Sequence, residues 1–142
     1  MTSEPRTAAI HAIQRELTAF ARRARGRAAE LHPELSLVAF SILDLVIERD
    51  GCQATDVADH FVLDKSTVSR QVGALERLGY LTREVDPDNR RNHILRPTAE
   101  GRRVAGAAER RRHREFAERL TAWEDADIRR FAEYLVRYNA GQ

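Results

Sequence analysis

The 142-residue sequence predicts a mainly α fold, broken once by a two-stranded β-wing, with helical regions at both ends. Three observations carry this reading. Apolar residues recur at helical spacing through most of the chain. The exception is a pair of short β-prone segments, Tyr80 to Val85 and His93 to Arg96, around the turn-forming Asp86-Pro87-Asp88-Asn89. Immediately before them stand two short helical segments, Gln53 to Phe61 and Lys65 to Leu78, separated only by Val62-Leu63-Asp64.

Taken in order, residues 1–6 are polar and expected to be loose. Ile10, Ile13, Leu17 and Phe20 then form one stripe, with Arg15, Arg22 and Arg23 off it, so 7–30 reads as an amphipathic helix. Gly26 and His32-Pro33 punctuate the chain. Leu35 to Ile47 is apolar on most sides and reads as a buried second helix, the hydrophobic centre, ended near Asp50-Gly51. Beyond the β segments, Pro97-Thr98 marks a helix start. Arg102 to Leu120 is largely charged, with Val104, Ala108 and Phe116 as apolar exceptions, and is expected to span between two parts of the molecule. Thr121-Ala122-Trp123-Glu124 has capping-box spacing, and Ile128, Phe131, Leu135 and Tyr138 follow as the stripe of a last amphipathic helix.

Charge alone does not point to a partner, because 24 Lys and Arg stand against 22 Asp and Glu. By segment, residues 53–97 carry seven of each sign, so any basic surface there must come from sorting charges onto different faces. The single cysteine, Cys52, excludes an intrachain disulfide, and no apolar run is long enough for a signal peptide or membrane span, which suggests a cytoplasmic protein. The five histidines are scattered without the paired spacing of a metal site. With no phosphate-binding glycine loop and no nucleophile-and-base arrangement, neither a metal, a cofactor nor an enzymatic activity is expected.

In the helix 65–78, Val68, Val72, Leu75 and Leu78 fall on one side. That directs Ser66, Arg70, Gly73 and Arg77 outward, with Thr67 and Ser69 on the flanks and Lys65 at the start. A small, polar first half suits a helix pushed end-on into a major groove, where base edges must be approached closely. Alone, such a face is as often merely solvated. The adjacent hairpin changes the balance, because Asp86-Pro87-Asp88-Asn89 presents Arg90 and Arg91 at its tip, where guanidinium groups can enter a narrow minor groove. Arg77, near its helix end, is read as structural, with a carboxylate such as Asp88 as a partner. The run Arg110 to Arg114 could meet phosphates or a partner, but a solvated helix face is the commoner outcome for such a run. Trp123, Phe131, Tyr134 and Tyr138 read as interface core more readily than as a ligand site.

Over residues 34–101 the motifs fall in a fixed order. Asp64-Lys65-Ser66-Thr67-Val68-Ser69-Arg70 is followed by Leu75-Glu76-Arg77-Leu78-Gly79-Tyr80-Leu81, then Asp86-Pro87-Asp88-Asn89-Arg90-Arg91, then Leu95-Arg96-Pro97-Thr98-Ala99-Glu100-Gly101. This series resembles the MarR family of dimeric bacterial transcription factors. The resemblance implies a winged helix-turn-helix over 34–101 that binds double-stranded DNA at an inverted repeat. It implies Arg90 in the minor groove and Asp88 pairing with Arg77 to hold the wing. Helical regions 7–30 and 102–142 would form the homodimer interface through Ile10, Ile13, Leu17, Phe20, Ile128, Phe131, Leu135 and Tyr138. A small aromatic or phenolic effector is implied where the first, second and fifth helices meet. One departure stands out: peroxide-sensing members carry a reactive cysteine in the first helix, whereas Cys52 follows Asp50-Gly51. A protein-interaction module using the same fold without DNA is the alternative.

Overall fold

A computed structural model describes residues 3–141, with the element order α1 (Glu4–Leu31), α2 (Leu37–Glu48), α3 (Ala54–Phe61), α4 (Lys65–Arg77), β1 (Leu81–Val85), β2 (His93–Pro97), α5 (Ala99–Arg119) and α6 (Asp125–Asn139). The fold is mainly helical with a two-stranded antiparallel wing. The chain divides into two compact units, Met1–Ala105 and Gly106–Gln142.

Helix starts follow local chemistry. Ser36 caps α2 by accepting the Ala39 N–H at 3.1 Å, and Asp64 caps α4 by accepting the Thr67 N–H at 2.7 Å; each satisfies a donor that the first helical turn leaves without a partner. The core of the first unit is built on α2. Ala39, Phe40, Ile42, Leu43, Leu45 and Val46 are buried, and so are Val57 of α3, Val68, Val72 and Leu75 of α4, and Leu81 and Leu95 of the wing strands. Each fully buried large aliphatic side chain contributes on the order of 2 kcal/mol, so the recognition elements are fixed from behind by one shared core.

The strands pair with Leu81 opposite Pro97 and Val85 opposite His93. Cys52 adds an isolated antiparallel bridge to β2, donating its N–H to the Leu95 carbonyl at 3.2 Å and accepting the Leu95 N–H through its own carbonyl at 2.8 Å. The approach to that bridge passes through Asp50 and Gly51, both with positive φ, of 50° and 113°. The Arg96 guanidinium lies across Gly51 and donates to the Asp50 carbonyl, while Arg102 Nη2 meets Asp50 Oδ1 at 2.6 Å. The α2–α3 junction is thereby tied to both β2 and α5. Cys52 is buried, and that burial, with nearby Asp56, raises its thiol pKa against a smaller opposing pull from Arg49. A buried, protonated thiol suits packing rather than redox chemistry.

Three expectations are corrected. Residues 4–6 are helical, because Ser3 caps α1 and accepts the Arg6 N–H at 3.4 Å; Met1 and Thr2 lie outside the described residues. Gly26 does not interrupt α1, which runs on to Leu31 and ends before Pro33. The capping box at Thr121 and Glu124 does not form. The Thr121 hydroxyl instead donates back to the Ala117 carbonyl at 3.0 Å, and α6 begins at Asp125 with Glu124 as an N-cap lacking a side-chain bond. At α3 the Asp56 side chain does reach back in this way, accepting the Gln53 N–H at 2.9 Å.

Candidate nucleic-acid interface

The α4 periodicity sorts the helix as expected. Val68, Val72 and Leu75 are buried, whereas Lys65, Ser66, Ser69, Arg70 and Arg77 are exposed and Thr67 and Gly73 are half-buried. The exposed N-terminal half is therefore short-chained and polar, with Lys65 and Arg70 as its cations. At its head Asp64 Oδ1 takes both the Thr67 N–H and the Ser66 hydroxyl, the latter at 2.8 Å. The bond from the Thr67 backbone, followed by those from the Ser66 and Thr67 side chains, holds the Asp64 carboxyl down at about 2.

That shift has a testable sign. The folded-state value lies below the ordinary 3.8, so the cap's contribution is fully present above pH 4 and is lost as pH falls toward 2. In acid titrations followed by thermal melting, Asp64→Asn should show a shallower loss of stability over that window than the native chain. Parallel acid profiles would remove the ionised cap from the account.

The wing tip is made of two consecutive turns. Asn89 N–H donates to the Asp86 carbonyl at 3.2 Å and Asn92 N–H to the Asn89 carbonyl at 3.0 Å. Each turn opens on a side chain that accepts the N–H two residues on, with Asp86 Oδ1 to Asp88 at 2.9 Å and Asn89 Oδ1 to Arg91 at 3.2 Å. Asp and Asn are favoured at such positions because their short side chains mimic the backbone acceptor. The second turn carries Arg90 and Arg91 at its centre, both exposed.

The expected wing support is not made: no ion pair joins Arg77 and Asp88 among the described residues. Arg77 runs back along α4 over Gly73, and its neighbour Glu76 faces the wing, accepting from Arg83 Nε at 2.7 Å. Asp86, not Asp88, anchors the loop base, with Oδ2 facing Gln53 Nε2 at 3.4 Å. Arg96 and Glu84 pair diagonally across the strands at 3.3 Å. Sequence reasoning assigned no supporting role to Gln53, Glu76 or Arg83, and read Asp86 as a turn former but not as the anchor of the loop base. Only Asp86 carried a usable signal, as the first residue of an Asp-Pro turn.

The terminal stripes are surface features in the single chain. Ile10, Ile13, Leu17 and Phe20 of α1 are exposed, as are Phe131 and Tyr138 of α6, with Ile128 and Leu135 half-buried. Trp123 and Phe131 meet edge to face at 5.6 Å. Among the described residues no group of three or more His, Cys, Asp or Glu could hold a metal, and no helix is long and apolar enough to cross a membrane.

A sequence model described as MarR family matches residues 34–92, the span holding α2 to the wing tip. An HTH-type transcriptional regulator of Bacillus subtilis (strain 168), YxaD, is 29% identical over 132 residues, covering 92% of each chain. Among solved structures, a MarR family protein from Bacillus stearothermophilus superposes with a TM-score of 0.84 at 20% identity, over 99% of this chain and 98% of that one. A MarR family transcriptional regulator from Rhodococcus sp. RHA1 does so with a TM-score of 0.75 at 25% identity, over 96% of each.

Proposed function

We propose, from the MarR family match over residues 34–92 and the regulator that is 29% identical, that the chain is a winged-helix DNA-binding transcriptional regulator of the MarR family rather than an enzyme, and that it acts in the cytoplasm as a homodimeric repressor. Each subunit places α4 in the major groove of one half of a pseudo-palindromic operator, with Lys65, Ser66, Thr67, Ser69 and Arg70 facing the DNA. Arg90 and Arg91 reach the flanking minor groove. The observation that carries the reading is the sorted face of α4, whose exposed, short-chained polar half stands at a capped N-terminus while its apolar half is sunk in the core. Residues 34–101 form the reading part; 7–30 and 102–142 pair the subunits through the apolar stripes of α1 and α6. A small aromatic or phenolic anion releases the operator by favouring a dimer with different spacing between its two readers.

Two-fold symmetry requires half-site centres about one helical turn, roughly 10 bp, apart on one face of the duplex. Selection of genomic fragments on the intact protein should therefore return an inverted repeat. Sedimentation at micromolar concentration should give a dimer, and deletion of residues 121–142 should abolish it or cause aggregation. The logarithm of the binding constant should fall linearly with the logarithm of salt concentration. A well-behaved monomer, or retained fragments without a repeat, would overturn the two-headed reading; salt-indifferent binding would favour a protein-interaction role. A panel of benzoates and phenols tests release.

A further inference from the structure

Ser66 is exposed on the first turn of α4, yet its hydroxyl is already committed. A serine hydroxyl has one proton to give and two lone pairs that accept. Here the proton goes to Asp64 Oδ1 at 2.8 Å, on the oxygen that also receives the Thr67 N–H at 2.7 Å. Asp64 is ionised at any pH at which DNA is bound, so this is a charge-assisted bond, stronger than a neutral one to a base carbonyl. The same negative charge disfavours close approach of acceptor atoms such as guanine O6 and N7 or thymine O4. What the Ser66 oxygen offers outward is lone pairs.

We propose that Ser66 is a specificity-determining acceptor, selecting at one position of each half-site a base that presents an amino group in the major groove, cytosine or adenine. Those are the two bases with a donor there, cytosine N4 and adenine N6. Ser69, also exposed and with no hydrogen bond from its hydroxyl among the described residues, keeps both donor and acceptor roles, so the restriction does not extend to it and follows, for Ser66, from its place two residues after the capping aspartate. The inference rests on the reading of α4 as the major-groove element.

The test is selection from a randomised duplex library with the full-length native protein and with Ser66→Ala, whose exposed site leaves the fold intact. The native chain should enrich an inverted repeat. In Ser66→Ala one position per half-site, cytosine or adenine in the native selection, should lose its preference by roughly fivefold, the worth of one net hydrogen bond. Replacing that base by its analogue without the amino group, 2-pyrimidinone for cytosine or purine for adenine, should weaken the native protein by the same factor and leave Ser66→Ala unchanged. Relaxation at a guanine or thymine, or at no position, would overturn the proposal while leaving α4 as the reader. Failure of the native chain to enrich any repeat would overturn the reading of α4 itself, and this inference with it.

Discussion

Gly101→Ala should lower the thermal midpoint by roughly 10 °C, the largest effect expected of any single methyl group added to this chain. Gly101 is buried in the first turn of α5, and a Cβ there would meet the Tyr80 carbonyl oxygen far inside van der Waals contact. Neither side can yield. The Tyr80 carbonyl accepts the Thr98 N–H at 3.1 Å, and the Tyr80 N–H is held by the Leu75 carbonyl at 2.9 Å. The Thr98 hydroxyl joins the two segments, donating to the Gly79 carbonyl at 2.6 Å and accepting the Gly101 N–H at 2.9 Å. Overpacking against fixed backbone, with loss of one of these bonds, costs about 3 kcal/mol or more, and at this chain length each kcal/mol moves the midpoint by about 3 °C. Gly106→Ala is the control: on the same helix its Cβ would meet only the flexible end of Arg110 at 3.4 Å, and the gain in helix propensity should leave stability unchanged or raised. Equal melting of Gly101→Ala and the native protein would mean that the α5 start is not locked to the wing base.

That lock shows what the sequence could and could not disclose. The order of elements was legible from periodicity, with Val68, Val72 and Leu75 marking the buried side of α4, whereas the caps that Ser36 and Asp64 supply to α2 and α4 were not read in advance. The Leu95 to Gly101 motif could be matched as a string, but the reason for its glycine lies in Tyr80, a contact across a chain reversal that no local pattern encodes. The Thr121 and Glu124 spacing misled for a related cause. A Thr-x-x-Glu series is satisfied by any turn, and here the hydroxyl found the end of α5 before it could find the start of α6. In the wing, Asp86 and Asp88 compete for one supporting role. The side chain that opens the turn has the nearer donor, so Asp86 takes the Asp88 N–H and faces Gln53, while Arg77, projecting toward the helix N-terminus as helical side chains do, never reaches the loop.

Arg90→Ala should weaken binding to every operator sequence together, by roughly 30-fold at physiological salt, and leave the fold untouched. Arg90 is exposed in the second wing turn, whose hydrogen bonds run through Asn89 and Asn92 rather than through its own side chain. Removing one cation from each subunit of a dimer takes two ionic contacts from the duplex. Each contributes about 0.9 to the slope of log K against log salt, so the slope should flatten by about 2, which at 0.15 M salt corresponds to that 30-fold loss. Preferred sequence should change only in flanking A·T content, because a minor-groove guanidinium reads groove width rather than a base-specific pattern. Arg70→Ala, on the major-groove helix, discriminates: if its guanidinium reads a guanine, the loss should be concentrated at one base pair per half-site at about 1–3 kcal/mol, and if it holds a phosphate the loss should resemble that of Arg90. Titrations of both variants on one selected operator across a salt series, with a repeat selection for each, separate these outcomes. Unchanged affinity and slope for Arg90→Ala would reduce the wing tip to an ordinary surface turn.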